Sequence, residues 1–188
     1  MKLYTRMGDE GETALLFGQR LSKASARTEA YGSLDSAIAA MGLARALCED
    51  ERVKETLLRL QRELFTVGSE LATPPEDLNK LEEYFKPVDA GMTEALEGQI
   101  DDLKVLVKLP RAFIVPGATA GSGAIDMARS LLRTAERRAV ALSDAGELPN
   151  REVLKYLNRL SDLLFILARY EDRELPFELT TGEAQESG

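Results

Sequence analysis

Apolar residues recur at helical spacing in five separate stretches of this chain. From about Ser25 to Leu47, the positions Ala30, Leu34, Ile38, Met41 and Ala44 follow at steps of four and three, which puts them on one face of a helix. Val53, Leu57, Leu60, Leu64, Val67 and Leu71 alternate the same steps without a break and predict a second, strongly amphipathic helix. A third is expected to start at Thr93 as N-cap and to carry Leu96, Ile100, Leu103 and Val107 before Pro110 stops it. Ile125, Ala128, Leu132, Ala135, Ala139 and Leu142 mark a fourth. Val153, Leu157, Leu160, Leu164, Leu167 and Ala168 mark a fifth, from about Asn150.

The intervals between these stretches carry the breakers. Residues 1 to about 21, with Gly8, Gly11 and Gly18, show no helical period and read as a loop. Thr73 to Gly91 is a proline-containing connection with room for a short helical turn around Leu78 to Phe85. Ala112 to Val115, between Pro110 and Pro116, is too short for a helix and reads as a buried extended connector. Gly117 to Gly123 reads as a glycine-rich loop, and Thr180 to Gly188 as a frayed polar tail. No strand and helix alternation and no repeat is visible, so an all-α five-helix bundle is expected. It divides into an N-terminal loop at 1–24, the bundle at 25–175 and a polar tail at 176–188.

Composition narrows the chemistry. A chain of 188 residues with 44% apolar and 30% charged residues supports one core. Its 24 basic residues against 32 acidic ones give a net charge of −8, which argues against nucleic acid as a partner. Histidine is absent, which excludes a Ser-His-Asp triad and His-dependent metal sites. Cys48 stands alone, so no disulfide forms within the chain and a reducing cytoplasm is the expected setting. Neither an export signal nor a membrane span is expected.

Arg129, Arg133 and Arg137 lie four residues apart beside the apolar stripe of the fourth helix. They fit either a solvated face paired with Asp126 and Glu136 or a clamp for polyphosphate, whose oxygens match guanidinium donors. The segment from Tyr4 to Thr13, with Lys23 after it, fits a surface loop or a phosphate wrap, and it is not a Walker A motif. The Gly117 to Gly123 loop fits either an ordinary N-cap or an anion-binding helix start. Asn158 among leucines suggests a buried amide in need of partners. Phe113 reads on its own as a core aromatic.

Taken together, Tyr4-Thr5-Arg6-Met7-Gly8-Asp9-Glu10-Gly11-Glu12-Thr13, Ser22-Lys23, Glu29 to Asp35, Phe113-Ile114-Val115-Pro116-Gly117, Ala128-Arg129, Ala135-Glu136-Arg137-Arg138, Tyr156 to Phe165 and Leu167 to Glu171 resemble the PduO-type ATP:cob(I)alamin adenosyltransferases. The resemblance runs in order from residue 2 to about 172. It implies a homotrimer with ATP between subunits, Mg²⁺ with the nucleotide, a corrinoid substrate and a downstream adenosylcobalamin-dependent enzyme as a partner. It places Thr5, Arg6, Gly8, Asp9, Gly11, Thr13 and Lys23 around the phosphates, with Arg133, Glu136, Arg137 and Asn158 supplied by the bundle. Arg129 would pair with Asp35 across the interface. Phe113 would face the corrinoid, where it displaces the lower axial ligand of cobalt.

Two positions and one turn depart from the family pattern. Thr134 replaces a second arginine after Arg133, Asp126 stands where a histidine is usual and offers a carboxylate to a cation, and Phe17-Gly18-Gln19-Arg20 is a shortened glycine turn. The expected activity is transfer of the adenosyl group of ATP to cob(I)alamin. The alternative is a non-catalytic trimeric sensor or carrier that binds ATP or a corrinoid.

Overall fold

The computed structural model describes Tyr4 and residues 6–180. Five long helices form the body: α1 (Ala26–Leu47), α2 (Glu51–Leu71), α4 (Ala90–Leu106), α5 (Ala120–Asp144) and α6 (Glu152–Glu171). A five-residue helix α3 (Leu78–Glu82) follows a 3-10 turn at Pro75–Asp77 in the connection where a short turn is expected. Among the described residues the only strands are β1 (Glu12–Ala14) and β2 (Arg20–Ser22), paired antiparallel with Thr13 opposite Leu21. The N-terminal stretch is therefore partly a hairpin, not wholly a loop. Its turn is closed by Gly18, whose φ of +90° suits a residue without a Cβ.

Neighbours pack in the order α2, α1, α5, α6, α4. The stripe of α1 runs through Ala30, Leu34, Ala37, Met41 and Ala44, all buried, while Ile38 is only partly covered. Ala128, Ala135 and Ala139 of α5 are likewise buried. Alanines on both helices leave room for close backbone approach. Where the C-cap of α1 meets the first turn of α5, a Cβ on Gly121 would lie 2.9 Å from the Cα of Cys48.

Side-chain caps set the helix starts. Ser25 accepts from the Thr28 amide, Asp50 from Val53 and Asp89 from Met92. Asp89, and not Thr93, is thus the cap of α4; Thr93 lies buried inside the helix. Thr119 and Ser122 form a reciprocal capping box, so α5 begins within the glycine-rich segment.

Two buried charges tie down the connections. Arg27 donates to the carbonyls of Leu71, Thr73 and Glu147 and to the Glu147 carboxylate at 2.6 Å. The Glu70 carboxylate accepts from the Val88 amide at 2.6 Å and from Asn150 at 2.8 Å. Burial raises its pKa above the ordinary carboxylate value. Residues 178–180 run antiparallel to 113–115, with Val115 donating to the Glu178 carbonyl and Thr180 to that of Phe113. No helix among the described residues is long and apolar enough to cross a membrane.

Candidate functional site

The sequence-expected residues fall in three places. The first is the base of the hairpin. Residues 6–11 are wound in consecutive turns, with Asp9 donating to the Arg6 carbonyl and Gly11 to that of Gly8. Lys23 reaches back to the Gly8 carbonyl at 2.7 Å, and Arg20 bonds Glu12 and the Met7 carbonyl. Arg6 adopts φ +62°, a left-handed conformation that is costly for a side-chain-bearing residue. Arg6, Asp9 and Gly11 are exposed and Thr13 is half-buried. Thr5 lies outside the described residues, as do residues 181–188 of the tail.

The second place is a cleft of about 560 Å³ between α4, α5 and α6, lined among others by Ile100, Leu109, Arg129, Arg133, Arg159 and Phe165. Successive residues turn by about 100°, so a step of four drifts by about 40° around the helix. Arg129 and Arg133 consequently both line the cleft, whereas Arg137 turns away and donates to Thr134 Oγ1 at 2.9 Å. The Thr134 hydroxyl therefore holds Arg137. Glu136 accepts from Asn158 at 3.0 Å. Asn158 is exposed, which corrects the expectation of a buried amide.

Neither reading of the arginine row holds for all three members. Arg129 is paired, its Nε donating to Asp126 Oδ1 at 3.1 Å. Arg133 has no hydrogen bond or ion pair among the described residues and faces the cleft with its full donor set. Asp126 is itself buried and takes a second guanidinium, that of Arg169. Both of its oxygens are thus engaged by arginines, and it does not offer the free carboxylate for a cation expected from the sequence.

Phe113 is 81% exposed, so it is not a core aromatic, and the connector that carries it is not buried. It sits four residues beyond Leu109 of the cleft wall, in a stretch where Val105, Leu106, Leu109 and Val115 are also exposed. Phe165 and Arg159, both within the stretch from Tyr156 to Phe165, carry no role in the sequence reading. The Phe165 ring lies 5.9 Å from the Arg129 guanidinium carbon and 5.4 Å from that of Arg169. Arg159 bridges Glu97 of α4 and Asp162 of its own helix.

The third place is an apolar groove along α1 and α2, where Asp35 lies beside Leu16, Tyr31 and Phe65. Asp35 is exposed and has no bonded partner among the described residues. It lines a different cavity from Arg129, and the two do not pair within the chain. Cys48 is buried, and its thiol is pushed up to about 12, first by desolvation and then by Glu171. It is held in the unreactive neutral form. Among the described residues, no group of three or more acidic or cysteine side chains gathers as a metal cage.

Residues 3–171 match the family model described as cobalamin adenosyltransferase. The corrinoid adenosyltransferase PduO of Salmonella typhimurium is 41% identical over 93% of the chain. The chain spans only 51%, about half, of that relative's length. A corrinoid adenosyltransferase of Citrobacter freundii is 36% identical over 91% of the chain and 95% of its own length. Among solved structures, a variant of the PduO-type ATP:corrinoid adenosyltransferase from Lactobacillus reuteri, complexed with cobalamin and ATP, superposes with a TM-score of 0.86. It is 34% identical, over 95% of this chain and 98% of that one.

Proposed function

Because the chain belongs to the cobalamin adenosyltransferase family, we propose that it transfers the 5′-deoxyadenosyl group of ATP to the cobalt of cob(I)alamin or a related corrinoid. The observation that carries this reading is the cleft. It sets two arginines of one helix, Arg133 with no bonded partner among the described residues and Arg129 held at Nε, beside the apolar side chains of Ile100, Leu109, Phe165 and Ile166.

The corrinoid brings the nucleophile: its cobalt forms a bond to C5′, the C5′–O bond breaks, and triphosphate leaves with the electron pair. The chain's own residues position and stabilise. Arg133 supplies donors to oxygens on which negative charge gathers, a contribution that strengthens as the leaving group separates. Lys23, Arg6 and the turns from Gly8 to Gly11 hold the phosphates at the hairpin, with Asp9 and Thr13 beside them and Thr5 completing the set. Glu136, Arg137 and Asn158 bind the nucleotide from the bundle. Phe113 keeps the lower face of the corrinoid free of its axial ligand. Mg²⁺ would arrive on the nucleotide and need no acidic cage of this chain, since it commonly binds through substrate phosphates with few protein ligands.

A homotrimer follows from the same reading. Asp35 and Arg129 lie on different faces of one chain, and each has capacity left for a partner, so Asp35 in the apolar α1–α2 groove receives Arg129 of a neighbouring copy. Residues 1–24 then act as the ATP-binding loop, 25–175 as the bundle and 176–188 as the tail. A cytoplasmic setting fits the single buried thiol, and an adenosylcobalamin-dependent enzyme would consume the product.

The test is an anaerobic assay with ATP, Mg²⁺ and chemically reduced cobalamin. Stoichiometric adenosylcobalamin and triphosphate are expected. Orthophosphate release without a cobalt–carbon bond would overturn the reading, and tight binding without turnover would favour a sensor or carrier.

A further inference from the structure

Asp126 is 6% exposed and Arg169 2% exposed, and neither lines the cleft, but Arg129, which donates to Asp126, and the Phe165 ring beside it both do. Asp126 divides its carboxylate, Oδ1 to Arg129 Nε at 3.1 Å and Oδ2 to Arg169. The Phe165 ring lies within cation–π distance of both guanidiniums. Arg169 cannot meet a ligand from its place in the core. Its positive charge offsets the carboxylate from behind and leaves Arg129 as the one cation of the group with access to the cleft.

We infer that Asp126 is a positioning residue for Arg129. It fixes Nε and thereby the side-chain torsions leading to the guanidinium, with both terminal nitrogens left to face the cleft or a neighbouring copy. An unrestrained arginine would lose much rotamer freedom on reaching the same place. Pre-ordering it against a buried carboxylate makes that loss before the substrates arrive. Arg169 is the internal counter-charge that allows an acid to sit at this depth. The inference concerns the same site and, for its kinetic consequence, rests on the proposed transfer activity.

The experiment pairs a spectroscopic arm with a kinetic one on the full chain. In arginine-¹⁵N-labelled protein, the Arg129 Nε–Hε signal, assigned by its loss in Arg129→Lys, should exchange slowly with water. It should become fast-exchanging in Asp126→Asn and stay slow in Asp35→Asn. In the kinetic arm, Asp126→Asn should lower kcat/KM by about tenfold or more, but by less than about twofold when Arg129 is already lysine, because the two act as one unit. All rates are taken well below each variant's melting temperature.

Equal losses in both backgrounds, or an Arg129 signal that exchanges fast in the unmutated protein, would overturn the inference. If Asp126→Asn does not fold, Asp126→Glu retains the charge on a longer arm. It should shift the Arg129 signal and lower the rate only where Arg129 is present, and an unshifted signal counts against the inference. If the unmutated protein forms no adenosylcobalamin, the proposed function fails, and the exchange of Nε–Hε still decides the positioning role.

Discussion

Replacing Phe113 with alanine separates a role in chemistry from a role in packing, and the structure fixes the size of each. Full burial of a phenylalanine side chain is worth about 1.5–3 kcal/mol. With 81% of the residue exposed, only about a fifth of that amount, about 0.3–0.6 kcal/mol, supports the fold. For a chain of this size that corresponds to a fall of about 1–2 °C in melting temperature. The other four-fifths, about 1.2–2.4 kcal/mol, becomes available when a corrinoid covers the ring. Its loss should lower kcat/KM for the corrinoid by about 8- to 60-fold. ATP affinity should change little. The assay compares turnover of cob(II)alamin under a reducing system with that of pre-reduced cob(I)alamin, alongside a thermal melt. The first should suffer more, because only cob(II)alamin must shed a lower ligand before reduction. Equal losses in the two assays, with a melting temperature lowered by more than about 6 °C, would show that the ring is packing and refute the reasoning.

Light scattering should find three chains per particle, and Asp35→Arg should dissociate them and lower activity by about tenfold or more, because two arginines would face each other across the contact; a fully active monomer would contradict the assembly. Gly121→Ala should destabilise by about 1–3 kcal/mol in a denaturant titration, since the new methyl meets the Cys48 backbone at 2.9 Å; an unchanged midpoint would mean that α1 and α5 separate freely there. Glu70 supplies a pH signature. Its folded pKa is raised above 4.5, so the unfolded chain releases this proton first and the Glu70 contribution to stability falls as pH rises from about 4.5 toward the folded value. The stability difference between the unmutated protein and Glu70→Gln should therefore favour the unmutated protein more at pH 4.5 than at pH 7, and a difference independent of pH would show that Glu70 does not titrate as its burial requires.

The long helices were legible because burial repeats every three to four residues. Leu57, Leu60, Leu64 and Val67 disappear into the core together, and no other element contends for their pattern. Starts were less legible, because caps are polar and local. Asp89 lies three residues before the first turn's apolar contact, so Thr93 looked like the boundary while the helix had already formed one turn. The glycines from 117 to 123 lower helix propensity, yet Gly121 is required inside α5 by the nearness of Cys48. The hairpin escaped notice because three residues per strand are too few to show an alternation of period two. The 112–115 connector is apolar by composition but is held by backbone bonds to residues 178–180, a pairing across more than sixty residues that leaves the side chain of Phe113 outside.

For the site, spacing located the charges without disclosing their commitments. A row of arginines at steps of four is visible in any helical reading, but the drift of about 40° per step is what leaves Arg133 in the cleft and turns Arg137 onto Thr134. Asp126 looked free for a cation because its second partner, Arg169, is 43 positions away on another helix. A buried carboxylate must find a countercharge, and here the nearest arginines supply it from opposite sides, one from the core and one from the cleft. The same accounting separates Asp35 from these groups. It is exposed and has no bonded partner among the described residues, and an isolated carboxylate among apolar neighbours stays solvated until an opposite charge covers it. In the proposed homotrimer that charge is met by a face carrying an arginine held at Nε with its terminal nitrogens free, and the cleft side of α5 is such a face.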